Sequence, residues 1–113
     1  MKSVPAVDFD QLHLLTLGDE EVRGQVVRSF LRQLPDYRER LPRAAVDPQE
    51  FAFLLHRLKG ASLAVAAGPL ARRIAGIERL PGVSVEQRRT AAGQVLEDLA
   101  AVERALSEKG GAR

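Results

Sequence analysis

Two imidazoles, His13 and His56, and no cysteine are available to this 113-residue chain for nucleophilic or metal chemistry. Two histidines far apart in sequence do not make a metal site, and thiolate chemistry is excluded. His56 lies in the stretch Phe51-Ala52-Phe53-Leu54-Leu55-His56-Arg57-Leu58-Lys59-Gly60-Ala61-Ser62-Leu63-Ala64-Val65. Turned through about 100° per residue, Phe51, Leu54, Leu55, Leu58, Ser62 and Val65 gather on one side, the expected core side. His56 then projects roughly 150° from the centre of that stripe, outward from mid-helix, where folding has no use for a histidine.

Ala52, Lys59, Gly60 and Leu63 share the outward side with it. Lys59, three residues on, can set an ammonium beside anything attached to the ring. Gly60 is locally unfavourable, since glycine inside a helix costs on the order of 1 kcal/mol relative to alanine; clearance for a second molecule to approach the imidazole would explain it. A neutral imidazole that can act as a nucleophile, a cation to offset charge on transferred oxygens, and room for a bulky donor together describe a phosphoryl acceptor.

The elements that must hold these residues read as helices, and nothing reads as a strand. A short segment from Asp8 to about Leu15 puts Phe9, Leu12 and Leu15 at helical spacing ahead of a break at Gly18, and is expected to lie as a flap across the rest. Asp19 reads as an N-cap followed by Glu20 and Glu21, opening a long helix with Val22, Val26, Phe30, Leu34, Tyr37 and Leu41 inward. Pro35 should bend that helix or split it. Asp47-Pro48-Gln49-Glu50 is a strong start signal for a helix from Pro48 to about Ala67. Gly68-Pro69 starts a shorter one through Leu80, with Leu70, Ile74 and Ile77 inward, and Pro81-Gly82 stops it. Ser84-Val85-Glu86-Gln87 is a capping box opening a last helix with Ala92, Val95, Leu96, Leu99, Val102 and Leu106 inward, closed by Gly110-Gly111. Four substantial helices with short connections predict an all-α, antiparallel up-down four-helix bundle with a short additional N-terminal helix. It is expected to form a single domain over 1–113, with its core at about 8–108.

Composition agrees with a globular chain: 45% of residues are hydrophobic and 28% charged, which excludes a disordered or fibrous one. The net charge is only +2, with both signs interspersed, so a nucleic-acid binder is disfavoured. No stretch approaches the roughly 20 apolar residues of a membrane span, and the start, Met1-Lys2-Ser3-Val4-Pro5-Ala6, does not resemble a signal peptide; a cytoplasmic location is expected. No phosphate-binding glycine loop and no serine nucleophile paired with a base is present, so no classical enzyme is supported.

The segment His56-x-Leu58-Lys59-Gly60 resembles the signature of histidine-containing phosphotransfer (HPt) domains. The likeness runs from the acidic start of the second helix through Phe30 and the His56 helix to Leu70 and Ile77-Glu78. It implies a helical bundle whose histidine shuttles phosphate to and from an aspartate on a receiver domain of a bacterial two-component phosphorelay. By that resemblance His56 is the phosphorylation site, Lys59 the phosphate-stabilising cation and Gly60 the close-approach residue. Glu78 matches a polar position that orients the imidazole, holding Nδ1–H and leaving Nε2 free. The module would be a stoichiometric carrier without its own ATP site or cofactor, with any magnesium supplied by the partner. Two departures stand out: Leu55 replaces a small residue before the histidine, and Ala66-Ala67 replaces a Gly-Ala pair, with Gly68 expected to take over the turn.

Ala52, Leu63 and Phe53 are candidates for partner docking, while Arg57, Arg72, Arg73 and Arg79 read as solvated faces, the alternative being that some of them meet acidic rims of a receiver site, and His13 reads as an ordinary surface histidine. A monomer is expected. The rival reading is a non-phosphorylated helical adaptor that binds a signalling partner through the same exposed face.

Overall fold

A computed structural model describes residues 4–109, and among them every regular element is helical. The chain runs through α1 (Phe9–Leu15), α2 (Glu20–Arg43), a 3-10 turn (Ala44–Val46), α3 (Pro48–Ala64), α4 (Gly68–Glu78) and α5 (Val85–Glu108). Four starts are fixed by side chains. The carboxylates of Asp8, Asp19 and Asp47 accept backbone N–H bonds from the first turns of α1, α2 and α3. Ser84 and Gln87 form the reciprocal capping box of α5. The expected closure at Gly110-Gly111 lies outside the described residues.

Helix contacts pass from α2 to α3, α3 to α4, α4 to α5, and from α5 back to α2. The apolar stripes meet in one core that includes Phe30, Leu34, Tyr37 and Leu41 from α2 and Leu54, Leu55 and Leu58 from α3. Leu70 and Ile74 of α4 join Val95, Leu99, Val102 and Leu106 of α5 there. The N-terminal segment covers one end: Val7 and Leu12 are buried, and the Asp8 N–H donates to the Ala66 carbonyl.

The structure corrects several boundaries and faces. α2 is continuous through Pro35, which lies on its exposed side, so the Leu31 carbonyl that loses its partner can turn to water instead of breaking the helix. Val27, not Val22 or Val26, carries the buried position near the start of α2, and Leu15 of α1 is exposed. α3 ends at Ala64 and α4 at Glu78, each earlier than the apolar pattern implies. The reason at α3 is Ala66, which takes a left-handed φ of +59°. Gly68, which has no positive φ, does not take over that turn but begins α4.

The 3-10 turn has no sequence signal. Ala44 and Ala45 are buried in it, and the buried Arg88 of α5 ties it down by donating to the Ala45 carbonyl and to the Val83 carbonyl, both at 2.6 Å. That locks the α2–α3 connection to the start of α5, so the N-terminal end of α3 is held in place.

Candidate functional site

α3 presents two chemically distinct sides. Phe51, Leu54, Leu55, Leu58 and Ser62 are buried, with the Ser62 hydroxyl donating to the Leu58 carbonyl, and Val65 just beyond the helix is buried too. His56 stands on the opposite side with 77% of its side chain exposed. The helix is anchored by its core stripe, so the imidazole is carried on a rigid element.

Glu78, the last residue of α4, faces this position across the most extensive helix pairing in the fold. One carboxylate oxygen accepts from Lys59 Nζ at 2.6 Å, and the other stands 3.6 Å from His56 Nδ1. The first is a charge-assisted hydrogen bond; the second is longer than a hydrogen bond. With Nδ1 turned toward α4, Nε2 lies on the far side of the ring. The fold places His56, Lys59 and Glu78 side by side, with Lys59 already paired with the carboxylate and no hydrogen bond from Glu78 to Nδ1.

Gly60 is exposed, and a Cβ built on it would meet nothing within 4 Å. Folding does not require glycine there. Gly76 and Gly93 are equally open, so space alone does not single out Gly60; its place one turn from His56 does. Ala52, Phe53 and Leu63 are exposed, Phe53 and Leu63 by about half. Leu63 also edges a cleft of about 890 Å³ between the N-terminal segment, the start of α4 and the end of α5, which does not include His56.

Two arginines read as solvated have partners. Arg73 pairs with Asp98 across α4 and α5. Arg57 stands over two rings, with its guanidinium carbon 5.5 Å from the centre of Tyr37 and 5.6 Å from that of Phe53. Phe53, four residues earlier on the same helix, is the one signal the sequence held for this; Tyr37 comes from α2 and has none. Tyr37 is buried, its hydroxyl makes no hydrogen bond of ordinary geometry, and burial pushes its phenol above the ordinary tyrosine value, partly offset by the charge and the N–H groups of the neighbouring Arg57. Arg72 and Arg79 are exposed, as is His13, whose ring packs beside Gly18 at that residue's left-handed turn.

Among the described residues no group of three or more histidines and carboxylates converges as a metal site, and no helix is long and apolar enough to cross a membrane. Residues 25–108 match the family model described as Hpt domain. No curated protein and no solved structure matches the chain.

Proposed function

This chain belongs to the Hpt domain family, whose members transfer phosphoryl groups through a histidine in phosphorelays and meet receiver domains in doing so, and on that premise we propose that His56 is its phosphoryl carrier. The observation that carries the reading is the meeting of one exposed imidazole with Lys59, Glu78 and the open surface at Gly60. The protein serves a bacterial two-component relay in the cytoplasm as a monomeric unit spanning 1–113. The closed series of helix contacts favours an antiparallel up-down order for α2 to α5.

In the transfer step, Nε2 of neutral His56 attacks the phosphorus of a receiver's aspartyl phosphate in line. The N–P bond forms as the O–P bond breaks, and the electron pair leaves with the receiver's carboxylate. Nδ1 keeps its proton, so the phosphorylated ring is an imidazolium whose positive charge faces Glu78. Lys59 swings from Glu78 toward the transferred oxygens, where its charge offsets theirs. Gly60 admits the donor, and Ala52, Phe53 and Leu63 form apolar footing for it. Reversal returns the phosphoryl group to another receiver. The chain acts as a carrier without an ATP site of its own, and the divalent ion needed at the aspartate belongs to the partner.

The test is incubation with a phosphorylated receiver domain. Transfer of acid-labile, base-stable label to the wild type and not to His56→Gln supports the carrier. Binding of the receiver with no label on either protein would establish the adaptor instead.

A further inference from the structure

His56 is flanked by two cations that differ in one respect. On the α4 side, the Lys59 ammonium is neutralised by Glu78 at 2.6 Å. On the α2 side, Arg57 pairs with no carboxylate among the described residues, and the polar group beside its guanidinium is the neutral Tyr37 hydroxyl. Asp36 of α2 and Glu50 of α3 are committed elsewhere, both to Arg40.

Arg57 is nevertheless held. Its guanidinium stands over the faces of Tyr37, which is buried, and Phe53, which is half exposed. Stacking of this kind uses the face of the cation and leaves its N–H edge free for a planar, two-oxygen acceptor. An exposed arginine normally loses side-chain freedom when it binds; one already resting on two rings loses less.

We propose that Arg57, seated on Phe53 and Tyr37 beside His56, is a docking and specificity residue that receives a carboxylate from the rim of the receiver domain. The proposal rests on the phosphocarrier reading and deepens it. Because the α4 flank is charge-balanced and the α2 flank is not, a receiver whose acidic rim is lopsided is oriented on the site in one sense. A rim charge of this kind acts on the rate of encounter and on its salt dependence more than on chemistry.

The experiment compares two phosphoryl donors on the full chain: phosphoramidate, which is too small to have a rim, and the phosphorylated receiver domain that labels the wild type fastest among several tried. For Arg57→Gln, the second-order transfer rate from the receiver is expected to fall by about 5- to 20-fold at low salt, and to approach the wild-type rate at high salt. Phosphoramidate labelling serves as the reference, so the ratio of the two rates falls. Arg57→Lys, which keeps the charge without the fork, should lie between. Phe53→Leu, which removes half of the platform, should weaken the receiver reaction in the same direction. Equal helical circular dichroism establishes that each variant is folded.

A receiver rate unchanged in Arg57→Gln overturns the inference while leaving the carrier intact. Equal slowing with both donors also overturns it, since Arg57 would then act on the chemistry. Wild type unlabelled by either donor removes the carrier reading and this inference with it.

Discussion

Lys59 and Glu78 form an ion pair between α3 and α4, with Nζ 2.6 Å from Oε1. The second carboxylate oxygen is 3.6 Å from His56 Nδ1, so one acid faces both the candidate nucleophile and its cation. Glu78 is the counter-ion of Lys59; in the proposed carrier step the phosphoryl oxygens would compete for that ammonium, and the carboxylate would be left facing a positive ring.

Glu78→Ala should therefore alter the ring more than the fold. Stability is expected to change by less than about 1 kcal/mol, as for exposed ion pairs generally. In nitrogen NMR of neutral His56, the fraction of tautomer carrying its proton on Nδ1 should drop. An unchanged tautomer ratio would show that Glu78 does not orient the imidazole.

Gly60→Ala separates folding from function by sign. Alanine should stabilise α3 by about 0.5–1 kcal/mol, because the added methyl meets open space and glycine is a poor helix former. Transfer from a phosphorylated receiver should slow if the donor approaches over Gly60 as proposed, since the methyl would stand in its way. A variant that is more stable and transfers at the wild-type rate would remove Gly60 from the site.

Ala66→Gly is expected to act in the opposite way to most introductions of glycine. Ala66 holds φ +59°, a conformation that costs an L-residue about 1–2 kcal/mol and glycine little. Allowing for the greater freedom of glycine in the unfolded chain, a net gain of about 0.5–1 kcal/mol should appear in urea unfolding. Loss of stability would mean that the methyl's packing outweighs the relief of strain.

The face of α3 was legible because burial there depends only on helical period: Phe51, Leu54, Leu55, Leu58, Ser62 and Val65 are buried, and His56 is exposed. The caps at Asp19, Asp47 and Ser84 were legible because they act within three residues. What depends on neighbouring helices was not. The stacking of Arg57 needs Tyr37 of α2, and the two carbonyls that Arg88 holds lie in segments with no periodic signal. Val26 and Val27 flank the stripe of Phe30, Leu34, Tyr37 and Leu41 at about 50° on either side of its centre, and only the rotation of α2 against its neighbours makes Val27 the buried one. Glu78 was found by its place in the chain, whereas its pairing with Lys59 became visible only once α3 and α4 were packed.

Tyr37 makes a prediction about alkaline pH. Its folded-state phenol titrates above the ordinary value because burial penalises the phenolate, so its contribution to stability is complete below the unfolded pKa of about 10 and is lost as pH rises toward the folded value. Tyr37→Phe should lose less stability than wild type above that pH. Below it the variant should stay within about 1 kcal/mol of the wild type, because the buried hydroxyl makes no hydrogen bond of ordinary geometry and has only the Arg57 guanidinium beside it. Parallel stability curves for the two proteins across the alkaline range would contradict this.

The most direct test of the central claim is the location and chemistry of the phosphoryl group after transfer, read by phosphorus–proton correlation NMR on wild type, His56→Gln and His13→Gln. The expected result is one phosphoryl group per chain, bonded to Nε2 of His56, absent from His56→Gln and retained by His13→Gln. Label that persists in His56→Gln, or that couples to His13, would contradict the account.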